Sequence, residues 1–374
     1  MIYKFDKIAY NSTVKKKPTD ADRSNYIGLE NIDPDSLFVE NYGSDITPKG
    51  EKLIMKKGDV LFGKRRAYQK KVAIAPCDGI FSAHGMVLRP KEDVIDKDFF
   101  PFFIHSDQFL NEAVRISVGG LSPTINWRDL KELEFSLPPL SIQRELSKKL
   151  WAAYRLKESY KKLLLATRDM VKSQFIEMFG GGNWPQKTLG EVGSFIRGGG
   201  FQKSDFVEHG IPCIHYGQIH TKFGPFITKH ITEISSDLES KTKFASMGDL
   251  IIAITSEDAE GSCKSTAWLG DYPVAVGGHA AIYKHSMNPL YMTFFFKSTL
   301  FNHEKTKYIH GTKVFEIRPD DLAKIMVPCP PMRLQEYFSA IAKQADKSEF
   351  DSLRSECELE LLIKAINSVI KSLI

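Results

Sequence analysis

Apolar positions along residues 140–179 recur at alternating spacings of three and four, through Leu156, Tyr160, Leu163, Thr167, Met170 and Gln174. That period is the seam of a long coiled-coil helix. Pro138-Pro139 cannot lie inside it, Ser141 suits its N-cap, Glu145 suits its first turn, and Gly180-Gly181-Gly182 stops it. A second helix of similar length follows Pro330-Pro331, with Ile341, Ala345, Leu353 and Cys357 on its apolar face. Its seam falters at Asp346-Lys347-Ser348-Glu349, which predicts a stutter or a local break. The pattern before each helix is different. Short apolar runs such as Val60-Leu61-Phe62, Val72–Ala75, Met86-Val87-Leu88, Leu250–Ile254 and Ala280–Tyr283 predict strands. One helix is expected over Asp98–Val114 and another around Tyr291–Phe301, their phenylalanines facing a core.

These blocks occur twice. Pro139 and Gln143 match Pro331 and Gln335, and Asp129-Leu130 matches Asp321-Leu322, all at a shift of 192. Lys57-Gly58-Asp59-Val60-Leu61 returns as Met247-Gly248-Asp249-Leu250-Ile251, shifted by 190. A whole domain has therefore been duplicated. The chain divides into a globular part over 1–139, a helix over 140–182, a second globular part over 183–332 and a helix over 333–374.

Composition adds limits. With 374 residues, 42% hydrophobic and 26% charged, the chain can bury two cores. No apolar run approaches the roughly 18 residues of a membrane span, and the N-terminus lacks a signal-peptide layout, so a cytoplasmic protein is expected. Five cysteines without a Cys-x-x-Cys pair argue against a zinc site or a disulfide framework. The net charge of +5 sits mostly on the central helix, where 9 Lys+Arg face 4 Asp+Glu. That suits a polyanion or a solvated helix face. Gly58–Lys64 imitates a P-loop, but Arg65 replaces the Ser/Thr and the glycines bracket a strand.

Candidate chemistry lies between the strands. Lys64, Arg65, Arg66, Tyr68, Gln69, Lys70 and Lys71 form either an exposed hairpin tip or a nucleic-acid contact, since Lys can hold phosphate, Arg can grip guanine and Gln can read adenine. In the second half Arg197, Lys203, His215, Tyr216, Gln218, His220, Ser256, Glu257 and Lys264 surround strand-like residues, and Glu257 could accept from cytosine N4. Histidines concentrate beyond residue 208, yet their spacings match no compact metal motif. Gly120, and Thr312 with Lys313, occupy equivalent places before each long helix, where glycine permits either a tight turn or close approach to a ligand.

Two unlike globular regions, each with a Gly-Asp-apolar turn and each followed by a Pro-Pro, Gln-anchored helix, resemble the DNA-specificity subunits of Type I restriction–modification systems. Gly210–Ile219 and Thr255-Ser256-Glu257-Asp258 add to the likeness, which covers essentially the whole chain. The resemblance implies an α+β protein: two strand-rich target-recognition domains separated by two long antiparallel coiled-coil helices, with pseudo-twofold symmetry. It implies a non-catalytic chain that reads a bipartite, asymmetric site in double-stranded DNA. Its helices act as spacers and dock two methyltransferase subunits, with restriction subunits as further partners. S-adenosylmethionine, and ATP and Mg for restriction, belong to those partners, and this chain holds no cofactor or metal. The rivals are a coiled-coil scaffold without DNA function and a DNA methyltransferase with its own active site. The absence of an Asn-Pro-Pro-Tyr-like tetrapeptide speaks against the second.

Overall fold

Two buried glutamines set the architecture. The computed structural model describes residues 1–259, 261–311 and 314–372. In it Gln143, 1% exposed, donates from Nε2 to the carbonyls of Pro138 (2.8 Å) and Val94 (3.1 Å), and its Oε1 accepts from the Asp96 N–H (2.8 Å). Gln335, 3% exposed, repeats the pattern on Pro330 (2.8 Å) and Asn288 (2.9 Å). Each glutamine thus satisfies its own amide and a Pro-Pro carbonyl while tying the start of a long helix to the globular part before it. The central helix runs Leu140–Phe179 and the C-terminal helix Met332–Ser372, 40 and 41 residues.

The Gly-Asp turns also have a structural task. Gly58 and Gly248 take positive φ (+90° and +95°), a conformation that favours glycine. Asp59 accepts from the Lys56 N–H (2.7 Å) and from Nε and Nη2 of Arg89 (2.6 and 2.7 Å); Asp249 accepts from the Ser246 N–H (2.8 Å) and from Lys284 (2.6 Å). The turn is thereby bonded to a neighbouring strand.

The chain forms two compact units, Met1–Tyr160 with Arg354 onward, and Lys161–Leu353. Each long helix is therefore shared between units. In the first unit, an antiparallel sheet orders strands Ala9–Ser12, Gly85–Pro90, Val60–Gly63 and Val72–Ile74. A second sheet joins Lys15–Lys16, Lys52–Met55, Gly79–Phe81 and Tyr26–Ile27. Phe5 lies at the centre of an aromatic core with Phe103, Phe109, Trp127 and Phe135. In the second unit, five strands order as Gly193–Arg197, Ala280–His285, Leu250–Ala253, Ser265–Trp268 and Phe226–Ile227, and five more build a second sheet.

Five expectations need correction. The helix expected over Asp98–Val114 is two, Phe100–Ile104 and Asp107–Arg115, because the Ser106 hydroxyl donates to Phe103 O (2.7 Å) and accepts from Phe109 N–H (3.3 Å). Ser298 splits Pro289–Lys297 from Thr299–Lys305 in the same way. The central-helix seam is also displaced. Leu150, Tyr154, Leu164, Val171, Phe175 and Phe179 are buried, whereas Leu156, Leu163 and Met170 are exposed. Aromatic area decides between the two stripes: Tyr154 reaches Leu37 N–H, while Phe175 and Phe179 pack on Phe338 at 5.3 and 5.8 Å. On the C-terminal helix, Ala345 is buried as expected, but Leu353 and Cys357 are exposed. Finally, no break occurs at 346–349. Glu349 faces Arg168 of the central helix (Nε, 2.8 Å), so the polar residues answer a partner and the helix continues.

Candidate nucleic-acid interface

The basic loop after Val60–Gly63 is braced rather than free. Its middle is a 3-10 turn, Ala67–Gln69, flanked by Arg66 and Lys70 at φ +54° and +49°. Non-glycine residues there cost about 1–2 kcal/mol each, so surrounding bonds must hold them. Ala67 N–H donates to Pro123 O (3.1 Å), Ile125 N–H to Lys64 O (2.9 Å), and the Lys64 and Arg65 N–H groups to His84 O (3.1 and 3.2 Å). Three chain segments therefore converge, and they carry positive charge. The Arg65 guanidinium is 3.4 Å from His84 Nε2. Burial, then Arg65, Lys64 and Lys52, pull the His84 imidazole below its ordinary pKa. Burial and Lys15 lower Lys64 likewise. Crowded cations of this kind favour an anionic ligand.

Within the loop the side chains divide. Arg65, Arg66 and Tyr68 are exposed, and Gln69 is partly so. Lys70 donates to Asn111 (2.8 Å) beside Asp107, and Lys71 to Leu29 O (2.6 Å). Both lysines are thus bound within the protein. Gly120 lies at the tip of a hairpin whose ends, Val118 and Thr124, exchange backbone bonds of 3.0 and 2.8 Å.

The corresponding surface of the second unit is more aromatic and mixed in charge. Strand Thr255–Ser256 pairs with Phe315–Glu316. Arg197 reaches Glu316 (3.2 Å) and Gly278 O (3.1 Å). His215 stacks on Phe206 at 5.3 Å, and Tyr216 lies 5.1 Å from His279 and 6.0 Å from His220. His220 Nε2 is 3.1 Å from Thr255 O, and His220 shares a cleft of about 580 Å³ with Asp258 and Lys264. Glu257 and Lys264 are exposed, and Lys203 belongs to the turn Lys203–Asp205. Gln218 and Ser256 are occupied differently. Gln218, 4% exposed, accepts from His215 N–H (3.1 Å) and donates to Thr232 (2.9 Å); buried Ser256 accepts from Asp258 N–H (3.3 Å). Thr312 and Lys313 lie outside the described residues.

The stretch that carries the basic loop is similar to known proteins. Residues 7–165 match the Type I restriction modification DNA specificity domain. The Type I restriction enzyme EcoDI specificity subunit of Escherichia coli is 26% identical over 145 residues, 38% of this chain and 32% of that one, so the match spans about a third of the relative. The S subunit of a Type I restriction–modification system from M. genitalium shares the fold, with a TM-score of 0.58 and 14% identity over 98% of this chain and 94% of that one. A chain from a structure of type I R-M complex assembly and conformational transition does so at a TM-score of 0.54 and 21% identity, covering 98% and 96%.

The matched stretch also contains further cations. Lys15, Lys52 and His84 act on the same patch as Lys64 and Arg65. The run Lys15-Lys16-Lys17 was the available signal for the first of them. His279 joins Tyr216 in the second unit. Among the described residues, no group of three or more His, Cys, Asp or Glu could hold a metal ion, and no helix is long and apolar enough to cross a membrane.

Proposed function

We propose that the chain is the DNA-specificity subunit of a Type I restriction–modification system, reading a bipartite, asymmetric site in double-stranded DNA. The observation that carries this reading is one frame built twice, bearing a cationic loop in one copy and a histidine, tyrosine and glutamate surface in the other. Similar frames give similar placement on DNA; unlike loops read unlike half-sites. In the first half Arg65, Arg66 and Gln69 are the base readers, with Lys15, Lys52 and Lys64 on phosphates. In the second, Glu257, His215, Tyr216 and His220 read, with Arg197, Lys203, Lys264, Thr312 and Lys313 as further contacts and Gly120 allowing close approach on the first side.

Chemistry belongs to partner subunits in this proposal: methyl transfer from S-adenosylmethionine to two methyltransferase subunits, and ATP- and Mg-dependent cleavage to restriction subunits, all in the cytoplasm. The long helices, about 60 Å each at 1.5 Å per residue, would form an antiparallel spacer. Leu156, Leu163 and Met170, exposed at seven-residue spacing on the central helix, supply an apolar face for a methyltransferase helix. Exchanging residues 184–328 for the matching part of another specificity subunit, then mapping methylated sites in cells, tests the reading. One half-site should change and the other persist. Change in both half-sites would refute independent reading, and methylation by the purified chain alone would refute a non-catalytic role.

A further inference from the structure

A hairpin whose paired ends recur in both halves has no role yet for its most exposed apolar side chain. In the first half it runs from Val118 to Thr124, with Gly119 at φ +116° and Leu121 98% exposed. In the second half His310 and Glu316 exchange the equivalent bonds (3.0 and 2.9 Å), with Gly311 at φ +113°. Val118 and His310, Gly119 and Gly311, and Thr124 and Glu316 are each 192 positions apart. Both hairpins dock on the segment that follows the Gly-Asp strand. Thr124 bridges Arg65 in one, and Glu316 pairs with Thr255 in the other. The paired ends of this finger are therefore duplicated, while the sequence differs between them: 192 positions on from Leu121 stands Lys313, which lies outside the described residues.

A lone exposed leucine needs no explanation on an ordinary surface. Leu121 is different because of its setting. It sits beside two glycines at the end of a hairpin bonded to the most cationic loop of the unit, where Ala67 N–H donates to Pro123 O (3.1 Å) and Ile125 N–H to Lys64 O (2.9 Å). Cations that hold phosphates would bring that tip to the groove, and an apolar side chain at a groove can enter between stacked bases.

We propose that Leu121 is an apolar wedge that inserts at one base step of the first half-site and partly unstacks it. The proposal rests on the DNA-specificity reading. The test uses the full chain assembled with its methyltransferase subunits, on duplexes carrying its genomic methylation site with 2-aminopurine placed at successive positions. The wild-type complex should raise the fluorescence at one step of the first half-site. Leu121→Ser should abolish that rise and weaken binding about tenfold or more, with the slope of affinity against salt unchanged, because no phosphate contact is lost. Leu121→Met should retain both signals. At 98% exposure neither change disturbs packing, so unchanged thermal unfolding serves as the control. Equal affinity and fluorescence for Leu121→Ser would overturn the wedge while leaving DNA recognition intact, as would a changed salt slope. A wild-type complex that prefers no duplex over another would overturn the DNA reading and the wedge together.

Discussion

The two halves agree down to single hydrogen bonds in their frames and diverge in the loops those frames carry. Gln143 and Gln335, Ser106 and Ser298, and Asp59 and Asp249 do the same work at matching positions. These polar groups are buried or partly buried, and stripping one of its partners costs about 1–3 kcal/mol per orphaned group, which resists change. The side chains that face outward from the loops carry no such constraint. The first presents Arg65 and Arg66 above a cationic floor; the second presents Glu257 beside Asp258, which takes the Gly261 N–H, and a cluster of His215, Tyr216, His220 and His279. Duplication thus preserved the parts with internal partners and released those that face outward.

The sharpest way to break this comparison is to remove the anchors. Gln143→Ala should destabilise the protein by about 2–4 kcal/mol in chemical denaturation, and Gln335→Ala by somewhat less, since Gln143 makes one more bond. Losses below about 0.5 kcal/mol in both would show that the helices are held by apolar packing alone. A smaller effect separates the loops. Arg65→Ala or Arg66→Ala should cost about 1–3 kcal/mol of DNA affinity and relax only the first half-site, whereas Glu257→Ala should relax only the second. Lys70→Ala should change affinity by less than about 0.5 kcal/mol, because Asn111 and Asp107 already hold its ammonium. A uniform, sequence-blind loss from Lys70→Ala would restore it as a phosphate contact.

A separate, pH-dependent effect concerns positions 105 and 297, equivalent in the frame but occupied by His and Lys. Burial lowers His105, whose Nε2 is 2.9 Å from Pro34 O. Burial, with help from Lys172 and Arg168 against Glu349 and Asp346, brings Lys297 down to about 8. Asp346 is itself raised, by burial first and Glu349 second. In both cationic cases the unfolded chain binds its proton more tightly, so stability rises with pH between the folded and unfolded pKa values. For Lys297 that window runs from about pH 8 to the ordinary lysine value of 10.5. For His105 it lies below the ordinary 6.5. Lys297→Met should flatten the alkaline rise, about 2 kcal/mol by denaturant titration across pH 8–10, without touching the acid side. His105→Gln should do the reverse, and identical pH profiles for both variants would undo the assignment.

Much of the frame was legible in the residues themselves. Offsets of 190 and 192 exposed the duplication, Pro-Pro and Gly-Gly-Gly bounded the helix, and the Gly-Asp pairs marked turns, because backbone restrictions of Pro and Gly act locally. The seam of the central helix was not legible. Two stripes, one through Leu156 and Leu163 and one through Leu164 and Val171, satisfy the same spacing, and only the rings of Tyr154, Phe175 and Phe179 meeting other elements decided between them. The same holds for the candidate site. Sequence located the loops, but a polar side chain does not disclose whether its partner lies inside or outside the molecule. Gln218, Ser256, Lys70 and Lys71 turned inward to partners brought from 2 to 42 residues away, while Lys15, Lys52 and His84 came together from separate strands and turns. Periodicity and turn chemistry act between neighbours in the chain; burial and charge crowding act between neighbours in space, and those exist only once the sheets have closed.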